Sequence, residues 1–243
     1  MYEIIDFHSH ILPEIDDGSK SAEESLTMLR LEKQGGINKV ILTPHFYPQR
    51  DNPEEFLKRR EKAAQKLEAA LSGISDMPNQ IPELIFGAEV YYFRGISDSE
   101  LISKLTIDKE RKKAILLEMP QIPWTDSMYR EMEGIYKKRG LIPVIAHVDR
   151  YIKAFKSFAD MKRLSEMPVL LQANADFFIN PLTSKKAIKM LREEKIHLLG
   201  SDCHNLKERK PNLEKAVKLI KKKSGEQALL KIASYQKKVL EDW

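Results

Sequence analysis

The chain has 243 residues, of which 42% are hydrophobic and 32% charged, a single cysteine and a formal net charge of +5. That length and apolar content supply a substantial core and exclude a disordered chain, and the lone Cys203 excludes an internal disulfide and fits a reducing compartment. No apolar run approaches the roughly 20 residues of a membrane helix, and "MYEIIDF" lacks the basic start and long apolar stretch of a signal peptide, so the expectation is a cytoplasmic protein without membrane insertion.

The first strand candidate, "EIIDF" from Glu3, runs into His8, Ser9 and His10, followed by Asp16, Asp17 and Gly18. Two histidines at i and i+2 of an extended chain point to the same side, so both can reach one cation. Ser21 and Glu24 have capping-box spacing ahead of Leu26 and Leu29, which predicts a helix. "KVILT" from Lys39 is the second strand and leads to His45, and Asn52 with Pro53 opens a charged helix. The stretch from Ser72 to Pro82 reads as a loop. "ELIFG" from Glu83 leads to Glu89, and "AILLE" from Ala114 ends at Glu118. A helix capped by Asp126 and ended by Gly140 precedes "LIPVIAH" from Leu141, which ends at His147. "PVLLQAN" from Pro168 and "IHLLGSD" from Ile196 complete the set, the latter running into Asp202 and His204. From Asn205 onward there are 11 Lys/Arg against 5 Asp/Glu, including "KLIKKKSG" from Lys218. A solvated helix face is the simpler reading of that excess, and attraction of an acidic partner the other.

Most of these strands are apolar at consecutive positions, as strands buried on both faces are. Strand and helix alternate, which predicts a parallel sheet with right-handed crossovers, either open and doubly wound or closed into a barrel. No glycine-rich loop follows the first strand, which weakens the nucleotide-binding version. No internal repeat or linker divides residues 1–243, which read as one domain.

Almost every strand thus ends in a histidine or an acid, and in a parallel barrel all such ends open on one face. Taken singly each has a plainer explanation: a packed imidazole, assigned here to His197; a buried acid paired with a lysine at Glu118; a helix cap at Asp202. Together, buried acids and imidazoles at one spot need a compensating charge. The five histidines and four acids exceed what one ion takes, and an N/O set without thiolate suits Mn²⁺, Fe²⁺ or Zn²⁺.

The stretches "DFHSHILPEIDDG", "TPH", "GAEV", "LLEM", "IAHVDR" and "GSDCHN" resemble the polymerase and histidinol phosphatase (PHP) superfamily. Within it the chain is similar to the bacterial manganese-dependent protein-tyrosine phosphatases of capsule and exopolysaccharide operons, from residue 1 to about 210 and in order. The resemblance implies a distorted (βα)7 barrel and three metal ions. It implies His8, His10, Glu89 and Asp202 on one ion, Glu89 bridging to a second held by Glu118 and His147, and Asp17, His45 and His204 on the third. Arg150 and Arg209 match phosphate-binding arginines. The implied reaction is hydrolysis of phosphotyrosine by a metal-activated hydroxide, with the phosphorylated tail of a bacterial tyrosine kinase as substrate and no nucleic-acid partner.

There are departures: "HVDR" for the commoner "HPER", "TPHF" for "TPHH", and "QANADFFIN" from Gln172, so Phe46, Val148 and Asp149 are expected to change the pocket wall. Histidinol phosphate or another small phosphoester is the alternative substrate, and a non-catalytic module the alternative class. Cys203 and Arg209 also satisfy C-x5-R, the spacing of cysteine-dependent tyrosine phosphatases, but "CHNLKER" has no glycine to build the phosphate loop that this mechanism needs. The basic segment after Asn205 is expected to draw an anionic tail toward the metal face.

Overall fold

A computed structural model describes residues 2–108, 113–152 and 158–240. In chain order it contains β1 (Asp6–Ser9), α1 (Ala22–Gln34), β2 (Lys39–Leu42), β3 (His45–Phe46), α2 (Pro53–Leu71), α3 (Met77–Gln80), β4 (Glu83–Phe86), β5 (Glu89–Tyr91) and β6 (Ala114–Glu118). There follow α4 (Asp126–Arg139), β7 (Ile142–Ile145), α5 (Val148–Tyr151), α6 (Phe158–Ser165), β8 (Leu170–Asn174), α7 (Ala175–Ile179), α8 (Ser184–Arg192), β9 (Leu198–Gly200) and α9 (Leu213–Leu240).

Local chemistry explains most boundaries. The Ser21 hydroxyl accepts the Glu24 N–H at 3.2 Å, while the Glu24 carboxylate accepts the Lys20 N–H at 2.8 Å, so α1 starts where its capping signal lies. Asn52 accepts the Glu54 N–H ahead of Pro53. α4 is capped by Thr125, not by Asp126 as expected. Asp126 is the first helical residue, where its negative charge favours the helix N-terminus, and Gly140 ends the helix at φ 66° as its sequence predicts. The segment expected to be loop between Ser72 and Pro82 contains the single turn α3, with proline in its first turn.

Beyond each of two predicted strands a second short strand follows. β2 and β3 are separated by Thr43 and Pro44, and β4 and β5 by Gly87 and Ala88, with Leu42 paired to Phe86 before the gap and His45 to Glu89 after it. Pro44 has no N–H for the ladder, so the interruption falls in register on both strands.

All strand pairs are parallel, in two sheets ordered β1-β2-β4 and β3-β5-β6-β7-β8-β9. Beyond β9 the chain returns to β1: Ser9 pairs with Cys203, His10 N–H donates to the Cys203 carbonyl at 2.9 Å, and Asp202 N–H to the His8 carbonyl at 2.8 Å. The result is a mixed α/β fold on a curled parallel sheet. Alternate strand residues face opposite ways. Phe7, Ile41, Leu116, Val144, Leu170 and Leu198 join one cluster, closed by Val239 and Leu240 of α9, while Val40, Leu42, Ile115, Leu117, Ile145 and Leu199 join the larger one beneath the helices. This double burial is what the continuous apolar runs encode. α9 is kinked at Gly225, whose φ of 78° is open to glycine. Among the described residues no helix is long and apolar enough to cross a membrane.

Candidate metal centre

The strand ends bring all nine candidate ligands together. His8 on β1 and His10 just beyond it place their Nε2 atoms 3.1 Å apart. Glu89, the first residue of β5, reaches four imidazoles: its Oε2 lies 3.2 Å from His8 Nε2, 3.3 Å from His10 Nε2 and 2.9 Å from His45 Nδ1, and its Oε1 2.8 Å from His147 Nε2. Asp202 Oδ1 is 3.6 Å from both His8 and His10. Asp17 Oδ1 lies between His45 Nε2 at 3.5 Å and His204 Nε2 at 3.4 Å. Glu118 is 3.6 Å from His147 and 3.9 Å from His45.

These contacts form three overlapping groups: His8, His10 and Asp202; His10, Asp17, His45 and His204; His45, Glu89 and Glu118. The first contains three of the four residues expected on one ion, without Glu89, and the second contains Asp17, His45 and His204 with His10 added. The third differs in that His45 stands beside Glu89 and Glu118, with His147 adjoining the same two carboxylates, so His45 lies between two groups, presenting one nitrogen to each.

The donor set fits cations. His45 Nδ1, Glu89 Oε2, Glu118 Oε2, His147 Nδ1 and His204 Nε2 are all buried and make no hydrogen bond, which for native polar atoms is costly unless another charge engages them. Burial opposes charge at His8 and His10, yet Glu89 and Asp202 raise the first, and Asp16 and Glu89 raise the second well above the ordinary imidazole range. Glu89 is held well below the carboxylate range against its burial, chiefly by His8. Burial and the Glu89 charge push Glu118 up to about 7. Burial pushes His147 and His204 the other way, below the ordinary imidazole range, so the cluster mixes imidazoles held neutral with acids that repel each other, a combination that bound cations would relieve.

A layer of residues that the sequence reading did not single out holds the ligands. Asp16 accepts from His10 Nδ1 at 2.8 Å and from the N–H groups of Gly18 and His45 at 2.9 and 3.0 Å, which fixes the His10 ring with Nε2 toward Glu89. Gln172 Oε1 accepts the His147 N–H at 2.6 Å and lies 3.3 Å from His8 Nδ1; its amide donates to Asn174, whose own amide donates to Asp202 Oδ2 at 2.8 Å. Polar residues at i and i+2 of the apolar strand "LLQAN" were the available signal. Asp6 Oδ1 accepts the His8 N–H at 3.1 Å and the Ser201 N–H at 2.9 Å, tying β1 to the end of β9. Gly200 allows the close approach of these strands: a Cβ there would lie 2.6 Å from His8 Cβ. His147 and Asp202 both have left-handed backbones, with φ of 32° and 53°, a local strain of about 1–3 kcal/mol each that is typical of functional sites.

Arg150 and Arg209 both reach Asp202, Arg150 through Oδ2 and Arg209 through Oδ1 at 2.7 Å, and both guanidinium-bearing side chains are about one-third exposed. Cys203 is fully buried and its thiol is pushed well above its usual range by burial and by Glu32 and Asp6. The thiol lies within 4.8 Å of those two buried carboxylates, which is no setting for a thiolate nucleophile. Of the residues expected to alter the pocket wall, Phe46 and Val148 are buried in the core, while Asp149 is partly exposed and accepts the Asn174 N–H. His197 is a packed histidine, as assigned: Nδ1 accepts the Leu171 N–H at 2.9 Å and its ring meets Tyr235 edge-on. A cavity of about 620 Å³ lined by Tyr2, Ile5, Lys39 and Leu240 lies at the opposite, N-terminal end of the strands. Lys221 of the basic segment also lies at that end, paired with Glu226 and near Tyr2, whereas Arg209 of the same segment reaches Asp202 at the metal face.

Comparison with known proteins agrees with this geometry. Residues 4–241 match the model of the family described as capsular polysaccharide synthesis, CpsB/CapC. The chain is 30% identical over 251 residues to the tyrosine-protein phosphatase CpsB of Streptococcus pneumoniae, covering 91% of each chain. It is 26% identical to the tyrosine-protein phosphatase YwqE of Bacillus subtilis, covering 91% of this chain and 85% of that one. A crystal structure from the pair YwqE of B. subtilis and CpsB of S. pneumoniae, described as unique metal-dependent tyrosine phosphatases, aligns with a TM-score of 0.81 at 20% identity over 99% of this chain and 96% of that one, and shares its fold. The chain belongs to the CpsB/CapC family of capsular polysaccharide synthesis proteins.

Proposed function

We propose that this protein is a metal-dependent protein-tyrosine phosphatase acting in capsule or exopolysaccharide synthesis. The observation that carries the reading is the meeting of four imidazoles on Glu89, with Asp202, Asp17 and Glu118 around them and two arginines at the rim; the phosphatases of the same family support it. In this reading residues 1–243 act as one domain in the cytoplasm, and the curled sheets are the two arcs of a distorted (βα)7 barrel.

His8, His10, Asp17, His45, Glu89, Glu118, His147, Asp202 and His204 would hold the metal, with three Mn²⁺ ions as the proposed complement and Fe or Zn as substitutes. When bound, such ions make water a nucleophile near neutral pH and offset phosphate charge. The chain does the rest. Asp16, Gln172, Asn174 and Asp6 keep the ligand rings and carboxylates in place, so the site is organised before substrate arrives. Arg150 and Arg209 offer planar donors to the non-bridging phosphate oxygens. A phenol, with a pKa of about 10, leaves with less proton assistance than an alcohol, which favours phosphotyrosine over alkyl esters. The proposed natural substrate is a phosphorylated bacterial tyrosine kinase.

The test is hydrolysis by the manganese-loaded protein of a phosphotyrosyl peptide, a phosphoseryl peptide and histidinol phosphate. A kcat/KM at least tenfold higher on the phosphotyrosyl peptide is expected; a preference for histidinol phosphate would overturn the assignment.

A further inference from the structure

Beside the candidate ligands lie two aromatic side chains that the metal chemistry leaves without a task. Tyr47 stands two residues after His45, and Tyr91 two residues after Glu89. On extended chain that spacing returns a side chain to the same face, so each tyrosine lies one step further along the direction in which its strand delivers a ligand. The rings are where this spacing puts them. Tyr47 stacks on His45 with centroids 5.0 Å apart and planes at 28°, Tyr91 lies 5.8 Å from Tyr47, and Tyr91 is paired in register with Glu118 on β6. Arg50 sits over the Tyr47 ring, its guanidinium carbon 5.5 Å from the centroid.

The platform is built into the fold. Asp51 accepts the Tyr47 N–H at 2.9 Å, and the Tyr47 carbonyl accepts from Arg50 and Asp51 at 2.9 and 2.8 Å, so a tight turn fixes the backbone under the ring. Phe46, the intervening residue, points the other way into the core and packs on Phe56. Both tyrosines are partly exposed, beside His45 at 13% exposure and Glu89 at 1%. A partly exposed ring pair bordering a buried polar site leaves apolar faces for an aromatic group whose anionic end enters that site.

We propose that Tyr47 and Tyr91 form a shelf that receives the aryl ring of the phosphate ester and so determine the choice of aryl over alkyl phosphates. This rests on the phosphatase reading above. The shelf works by contact with the leaving group: an aromatic ring gains offset or edge-on packing against two others, and Arg50 adds its flat cationic face. An alkyl phosphate of the same charge gains neither.

The experiment is calorimetric binding of benzylphosphonate and ethylphosphonate, which the enzyme does not hydrolyse, to the manganese-loaded protein. Benzylphosphonate should bind about three- to tenfold tighter, the range that stacked aromatic pairs are worth. The Y47A/Y91A double variant should lose that ratio while keeping its manganese content and its ethylphosphonate affinity, and Y47F/Y91F should retain the ratio. An unchanged ratio in the alanine variant, a parallel loss of both ligands, or no aryl preference in the parent would each overturn the shelf. Aryl preference without hydrolysis of phosphotyrosyl peptide would sink the phosphatase reading alone, and hydrolysis without aryl preference would sink the shelf alone.

Discussion

Glu89 shows how much a single residue contributes here. Its two oxygens lie within 3.3 Å of four imidazole nitrogens, and it is 1% exposed, so neither water nor a lysine accounts for its charge. Asp16 works at one remove. It is held below the usual carboxylate range, against its burial, by His10 and by two backbone N–H groups, and it keeps His10 Nδ1 occupied so that Nε2 faces the ligand cluster. Asp16→Asn preserves the shape and removes the charge. Manganese affinity measured by titration should fall about 10- to 100-fold, the usual cost of losing such a supporting carboxylate; unchanged affinity would remove its role. That these side chains would meet was legible in the sequence because strand ends converge in a parallel α/β fold. Asp16 was not, because two adjacent acids look alike until the turn at Gly18 decides which one faces His10.

At the scale of elements, the site depends on how closely β1 and β9 approach. The Asp6 carboxylate joins them through the N–H groups of His8 and Ser201, and Gly200 leaves no room for a side chain: an added Cβ would stand 2.6 Å from His8 Cβ and 2.7 Å from Gln172 Nε2. Gly200→Ala should therefore destabilise the fold by about 1–3 kcal/mol, the cost of overpacking a core, and displace His8 enough to lower bound metal. Gly73→Ala, where nothing lies within 4 Å, is the control, and equal melting temperatures for the two variants would contradict the argument. The order of strands and helices was readable from apolar runs, capping residues and Gly140. The short strands β3 and β5 were not, because whether a ladder resumes past Pro44 is decided by the neighbouring strand. The cap at Thr125 was missed because Thr125 and Asp126 are both good caps and only the backbone angle separates them.

At the scale of the whole molecule, the two ends of the sheet have different characters. The C-terminal end carries the ligand cluster; the N-terminal end is plugged by Val239 and Leu240, with Gln236 donating to the Ile5 carbonyl. Charge counting along the sequence could not place the basic segment, because it runs from Arg209 beside Asp202 to Lys221 near Tyr2, and a count of lysines says nothing about which of them reaches which end. His197 tests the packing between β8, β9 and α9. Burial, with Lys238 and Lys231 nearby and Glu194 opposing, pushes it down to about 4 from 6.5, consistent with Nδ1 accepting the Leu171 N–H. The unfolded chain then binds more protons than the folded one between those values. The contribution of His197 to stability is complete above about pH 6.5 and is lost as pH falls to about 4, by roughly 3 kcal/mol. His197→Gln should flatten the pH dependence of unfolding free energy in that window, and an identical slope would contradict the assignment.

In the proposed reaction the metal held by the strand-end cluster, and not the thiol of Cys203, activates the nucleophile. The most direct measurement is phosphotyrosyl-peptide hydrolysis by the chelator-stripped protein before and after adding Mn²⁺, with Cys203→Ser in parallel. Activity should vanish on stripping, return with manganese and be retained in Cys203→Ser. Activity that survives stripping and disappears in a folded Cys203→Ser protein would contradict the metal-based reaction.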